Sequence, residues 1–189
     1  MKKFFIAATF ALASVCAYSQ NKNTPVSYQI GYAYSTHAPF NWTQHIKWGD
    51  QWGMFTNFGM KGTLFEYESG IDYGYNTEVI YDRFESENRF AVVGGVAYRI
   101  IKKIPFYVSA GIGYGSASEN WEKYTKYNFN YLPDEYQMKS YIKPIKSGFA
   151  YQLGVQYDFH FGQYWLMGIE IFHNNYLGVG FGISLGVIM

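Results

Sequence analysis

Long stretches of this chain alternate residue by residue between two chemically different sets, and neither set suits water. Val26, Tyr28, Ile30, Tyr32 and Tyr34 interleave with Ser27, Gln29, Gly31, Ala33 and Ser35. Phe149, Tyr151, Leu153, Val155, Tyr157 and Phe159 interleave with Ala150, Gln152, Gly154, Gln156, Asp158 and His160. Leu177, Val179, Phe181, Ile183, Leu185 and Val187 interleave with Gly178, Gly180, Gly182, Ser184 and Gly186. A repeat of two places successive side chains on opposite faces of a strand, so each stretch has an apolar face and a small, weakly polar face. A sheet washed by water carries Lys and Glu on its outer side, and these stretches carry almost none. Such a sheet belongs in lipid, where every backbone group must pair within the protein and the sheet must close on itself.

The first nineteen residues read as a signal peptide. Lys2 and Lys3 form the charged start, Phe4 to Val15 the apolar core, and Ala17-Tyr18-Ser19 a small-x-small cleavage site before Gln20. A lipid-modified Cys16 is the competing reading, but Val15 is a poor residue before a lipoprotein cysteine. Cleavage after Ser19 removes the only cysteine, so the mature chain forms no disulfide. It also leaves 13 basic residues against 14 acidic, a net of −1, which provides no electrostatic footprint for nucleic acid. Residues 20–189 then form one domain, with no Pro/Gly/Ser linker to divide it. Aromatics make up 22% of the chain, a share that membrane-interface girdles can absorb. No mature run is long enough for a membrane helix; even 91–101 is interrupted by Gly94, Gly95 and Arg99.

Eight segments have the length of about ten residues that a tilted membrane strand needs. They are 26–36, 40–48, 51–60, 88–101, 105–117, 147–160, 164–173 and 177–188. Gly49-Asp50, Lys102-Lys103-Ile104 and Gly162-Gln163 read as tight turns at one end. At the other end lie two short connections and two long, charged ones, 61–87 and 118–146. Residues 61–89 and 119–146 together hold nineteen of the 27 mature charges. The expected fold is therefore all-β, an antiparallel eight-stranded up-and-down transmembrane barrel with both termini periplasmic. Trp48 and Trp52, Tyr98 and Phe106, and Phe161, Tyr164 and Trp165 flank the three tight turns as a periplasmic girdle. A second alternation, from Phe65 to Tyr75, is read as a hairpin extension above the membrane; as a spanning strand it would replace 40–48 in the count, and a ten-stranded barrel is the alternative.

Of the charges inside the proposed strands, Lys47, Arg99, Asp158 and Glu170 all fall on the inward parity. With His160, two residues beyond Asp158, they define a luminal charge cluster of Lys47, Arg99, Asp158 and His160. Asp158 and His160 could form an acid–base pair, but charge pairing alone accounts for the cluster. His45 and Tyr107 also point inward near this end, and Glu170 sits higher. The parity predicts that an arginine costs more at Val155, facing lipid, than at Gln156, facing the interior.

A soluble ligand-binding barrel would turn the apolar set inward and the other set to water. The other set of the last strand is Gly, Gly, Gly, Ser and Gly, a poor solvent surface. With its signal peptide, alternation, loop asymmetry and Gly/apolar final strand, the chain resembles small Gram-negative outer-membrane β-barrels of the OmpA/OmpX-like size class over residues 26–189. The resemblance implies lodging in outer-membrane lipid with lipopolysaccharide, and insertion by the outer-membrane assembly machinery. Such proteins usually end in an aromatic residue, whereas this chain ends Val187-Ile188-Met189.

The remaining motifs carry little chemistry. Gly111-Ile-Gly113-Tyr-Gly115 and Gly178-Val-Gly180-Phe-Gly182 lack the strand-to-helix context of a phosphate loop. Their glycines recur at inward positions, where a narrow barrel has room only for small groups. The four histidines are dispersed without metal-ligand spacing, so no metal, cofactor or catalytic residue is assigned. The expected function is non-enzymatic, structural or binding an extracellular ligand through the long loops 61–87 and 118–146. A small lipid-modifying enzyme and a narrow passive pore are the alternatives.

Overall fold

The computed structural model describes residues 25–49, 51–62, 77–127 and 135–189. The signal-peptide reading, the Phe65–Tyr75 alternation and Asp50 lie outside the described residues. Eight strands follow one another: β1 (Val26–Ser35), β2 (Phe40–Trp48), β3 (Trp52–Lys61), β4 (Thr77–Arg99), β5 (Phe106–Tyr127), β6 (Glu135–Phe161), β7 (Trp165–Asn174) and β8 (Gly178–Ile188). Each pairs antiparallel with the next, and β8 returns to β1 from Ser27 opposite Ile188 to Ser35 opposite Gly180. The barrel is closed and eight-stranded. A ten-stranded ring is excluded by direct pairing of β3 with β4, from Trp52 opposite Tyr98 to Lys61 opposite Arg89.

The two faces of each strand separate as the alternation requires. Ile30, Tyr32, Trp42, Met54, Val96, Ile112, Leu153, Ile171, Phe181 and Leu185 are exposed on the outside. Gln29, Asn41, Thr43, His45, Lys47, Asn57, Gln152, Gln156, Asp158, Glu170, Asn174 and Ser184 are buried inside. The barrel is thus apolar outside and polar within, the reverse of a water-soluble core. Aromatic pairs gather near both ends of the outer wall. Trp52 meets Tyr98 edge-on at 4.8 Å by the tight turns, and Tyr32 meets Phe40 at 5.7 Å toward the opposite end.

The long connections differ from expectation. Much of 61–87 and 118–146 is strand rather than loop: β4, β5 and β6 run on past the rim as a three-stranded sheet. Thr77 pairs with Tyr127, and Tyr127 in turn with Glu135. Hairpin pairing continues as long as backbone partners are available, and charges are tolerated there because this part of the sheet lies beyond the apolar band. Slips in register between Val79 and Tyr81, Phe84 and Ser86, and Ala117 and Ser118 mark bulges in the extension, which add twist to a sheet.

Two residues leave their expected face. Val26 and Leu177 belong to the outward set by alternation, yet both are buried. Val26 sits where β1 meets the chain end, exchanging backbone hydrogen bonds with Met189. Leu177 precedes Gly178, whose φ of +80° breaks the alternation and turns the side chain into the barrel. An added Cβ at Gly178 is also crowded by Thr36 and His37. Gly178→Ala is therefore expected to destabilise the barrel by about 1–2 kcal/mol, the cost of a side chain in the left-handed region. Urea unfolding followed by tryptophan fluorescence checks it; an unchanged midpoint would mean that the turn relaxes freely.

Candidate functional site

Buried polar side chains of facing strands line the interior. Near the tight turns, Lys47 of β2 and Asp158 of β6 meet at 2.5 Å, both almost fully buried. The Gln156 amide donates to Asp158 Oδ1 at 2.9 Å and to Gln29 Oε1 at 2.6 Å. Gln29 Oε1 also accepts from Ser184 Oγ at 3.2 Å and from Lys47 Nζ at 3.4 Å. Lys47 Nζ lies 4.2 Å from the centre of the Tyr107 ring, which adds a cation–π contact. A buried charge needs such a surround, because removing an ion from water costs several kcal/mol unless partners replace the water.

The next layer is a second pair. His45 Nε2 lies 3.1 Å from Glu170 Oε2, and the His45 ring stacks on Phe55 with centroids 6.2 Å apart. Amides follow above: Asn57 donates to Gln152 Oε1 at 2.8 Å, and Asn174 to the same oxygen at 3.5 Å. Asn41 donates to the Ala38 carbonyl at 2.8 Å and to Ser35 Oγ at 3.1 Å, closing the β1–β2 turn.

The outer mouth is stopped by the turn between β7 and β8. Tyr176 and Leu177 are buried with Phe55, Ala91, Val93, Ala117 and Ala150 in an apolar cluster. Asn174 Oδ1 accepts from the backbone N–H of Tyr176 at 2.8 Å and of Leu177 at 3.1 Å, folding the turn inward. Gly115 admits it, since a Cβ there would strike the Tyr176 ring. Three further bonds hold it from outside: Arg89 to the Tyr176 carbonyl at 2.9 Å, Lys146 to the Asn175 carbonyl at 2.6 Å, and His37 N–H to the Leu177 carbonyl at 3.0 Å. Asn174 three residues ahead of Leu177, with Gly178 behind, is the signal in the chain that identifies this tuck.

Above the stopper stands a charged and aromatic surface on the projecting sheet. Arg89 pairs with Glu87 at 2.5 Å, and Lys61 approaches the same carboxylate at 3.8 Å. The hydrogen bond from Arg89 holds the Glu87 carboxyl below the usual carboxylate range. Trp121 donates to Glu119 at 2.9 Å, lies edge-on to Phe84, and has Lys143 over its ring at 5.5 Å. Lys146 covers the Tyr176 ring at 4.5 Å.

The four residues read from the sequence as one luminal cluster do not share one environment. Lys47 and Asp158 form the buried pair. Arg99 is half-buried and donates from Nε to the Ile104 carbonyl at 3.0 Å. His160 has the inward parity but lies exposed where β6 leaves the barrel. Asp158 thus makes the charge pairing expected of the cluster, with Lys47 as its partner rather than His160. Glu170, with no partner named from sequence, has His45. Gln156 is also more than a polar lining residue. It is buried and bonded twice, so an arginine there disrupts the network.

No family model and no curated protein sequence matches this chain. Among solved structures it is similar to the attachment invasion locus protein Ail of Yersinia pestis, at 12% identity over 88% of this chain and 96% of that one, with a TM-score of 0.42. It is similar to the N-terminal β-barrel domain of Pseudomonas aeruginosa OprF, at 9% identity over 87% and 97% of the two chains, with a TM-score of 0.44. Neisserial surface protein A matches at 10% identity over 88% and 94%, with a TM-score of 0.31. The architecture of this chain stands on its own strand pairings.

Proposed function

We propose that this chain is a non-enzymatic integral outer-membrane barrel, its termini periplasmic, that binds an external ligand through the sheet projecting from its mouth. The observation that carries the reading is the inversion of the wall. Phe149, Ile112 and Leu185 are each 65% exposed on the outside, while Lys47 and Asp158 are 3% exposed within. In water the outer apolar surface would far exceed what a monomer leaves uncovered. In lipid it is solvated by acyl chains, and the closed ladder leaves no unpaired strand edge in the hydrocarbon.

The interior supports a structural rather than a catalytic role. Asp158 has one oxygen on Lys47 and the other on Gln156, and the network is closed above by the Tyr176–Leu177 stopper. A filled eight-stranded interior of this kind holds a barrel together. Recognition then belongs to the projecting sheet, where Trp121, Phe84 and Lys143 gather beyond the membrane band. Aromatic rings beside charges suit an adaptable binding surface, and the lysines suit the phosphates of lipopolysaccharide.

Replacing residues 119–143 by a short Gly/Ser connection is expected to leave the barrel folded. Loop length costs little stability, and Lys146, which holds the stopper, stays in place. The trimmed barrel in nanodiscs should lose binding to lipopolysaccharide and to any protein or glycan that the intact one captures. Undiminished capture by the trimmed barrel contradicts the assignment of recognition to this sheet.

A further inference from the structure

Among the described residues, the end of the barrel opposite the projecting sheet carries two exposed lysines in a single turn. The β4–β5 turn reads Ile100-Ile101-Lys102-Lys103-Ile104-Pro105. Ile100, Ile101 and Ile104 are 53%, 47% and 43% exposed, and both lysines between them are exposed. Ile100 continues the outward row of Val96 and Tyr98, so the apolar wall runs without a break into the turn. The turn is firmly built: Ile104 N–H bonds to the Ile101 carbonyl at 3.1 Å, while the Ile104 carbonyl accepts from Phe106 N–H at 2.7 Å and from Arg99 Nε at 3.0 Å. Beside it stands the Trp52–Tyr98 ring pair, of the kind that settles at head-group depth. Among the described residues, no exposed acidic side chain lies at this end; the Gly162-Gln163-Tyr164 turn is uncharged, and the Gly49-Asp50 turn brings a single acidic residue, Asp50, outside the described residues.

We infer that this turn is a contact for an anionic glycerophospholipid of the inner leaflet. The isoleucines would sit among the upper acyl carbons, with Lys102 and Lys103 at the phosphate. The inference rests on the membrane reading above and deepens it by naming the lipid class and the residues that select it. Isoleucine on either side of the lysine pair sets the depth. A lysine on a long flexible stem then reaches the head group without leaving the interface. Each lysine or arginine held near an anionic surface favours it enough that two change a binding ratio about thirtyfold at low salt. The preference fades as salt rises, because exposed charges are screened.

The test uses the purified full barrel in nanodiscs of equal phosphatidylcholine and phosphatidylglycerol, with retained lipid counted by native mass spectrometry. The wild type is expected to retain phosphatidylglycerol in excess. Lys102→Gln with Lys103→Gln should lose that excess, and Lys102→Arg with Lys103→Arg should keep it. No excess in the wild type, or an excess that survives Lys102→Gln with Lys103→Gln, overturns the proposal. A barrel that enters neither nanodiscs nor vesicles of any composition overturns the membrane reading itself, which is a separate and visible failure.

Discussion

Lys47→Ala is expected to destabilise the barrel by about 3–5 kcal/mol, the cost of leaving one partner of a buried ion pair uncompensated. The substitution strips Asp158 of a 2.5 Å contact and leaves in place its bond from the Gln156 amide. It also empties the space against the Tyr107 ring. Replacing both partners by apolar groups of similar size, Lys47→Met with Asp158→Leu, should recover most of the loss, because the pair itself contributes little net stability while an orphaned charge costs much. Equilibrium urea unfolding of single and double variants measures both steps. If the single variant matched the wild type, the Lys47–Asp158 pair would not be the buried contact described above.

Val155→Arg is expected to cost about 2–4 kcal/mol if the residue faces the middle of the bilayer. Val155 is outward on β6, beside Val108 of β5 and Ile171 of β7. An arginine there can reach neither the luminal network nor, at mid-height, the head groups. The informative contrast is with the outward position nearest the turn, Phe161, where an arginine can reach the interface and the cost falls to about 0–1 kcal/mol. Folding into vesicles under increasing urea separates the two. Equal costs at Val155 and Phe161 would mean that lipid does not surround this wall.

Much of the barrel was legible because its signal is local. Alternation along 26–36, 147–160 and 177–188 fixes which side chains share a face, and turn residues at Gly49 and Gly162 fix where strands reverse, each with a positive φ in the structure. Strand ends were less legible. The charges of 77–87 and 118–127 read as loop because charge marks departure from lipid, but departure from lipid does not end backbone pairing, and β4 and β5 continue.

The interior was legible as a list of residues and not as a set of partners. Parity places Lys47, Asp158 and Glu170 inside, but which of them meet depends on barrel closure, which sets the height of each strand against the others. That is why His45 appears as the partner of Glu170 only in the structure, and why His160, on the correct parity, lies exposed near the end of β6. The Leu177 tuck shows the same limit from the other side: one left-handed glycine at position 178 takes Leu177 out of an alternation that Val179, Phe181, Ile183 and Leu185 keep.

An apolar wall closed around a polar lumen is expected to lodge in the outer membrane. Cells expressing the full chain are fractionated, and the protein is run on detergent gels with and without boiling. Recovery in the outer-membrane fraction and faster migration of the unboiled protein are expected, because a ladder paired all the way round resists unfolding by detergent. Recovery as a soluble periplasmic protein, with no shift on boiling, would contradict it.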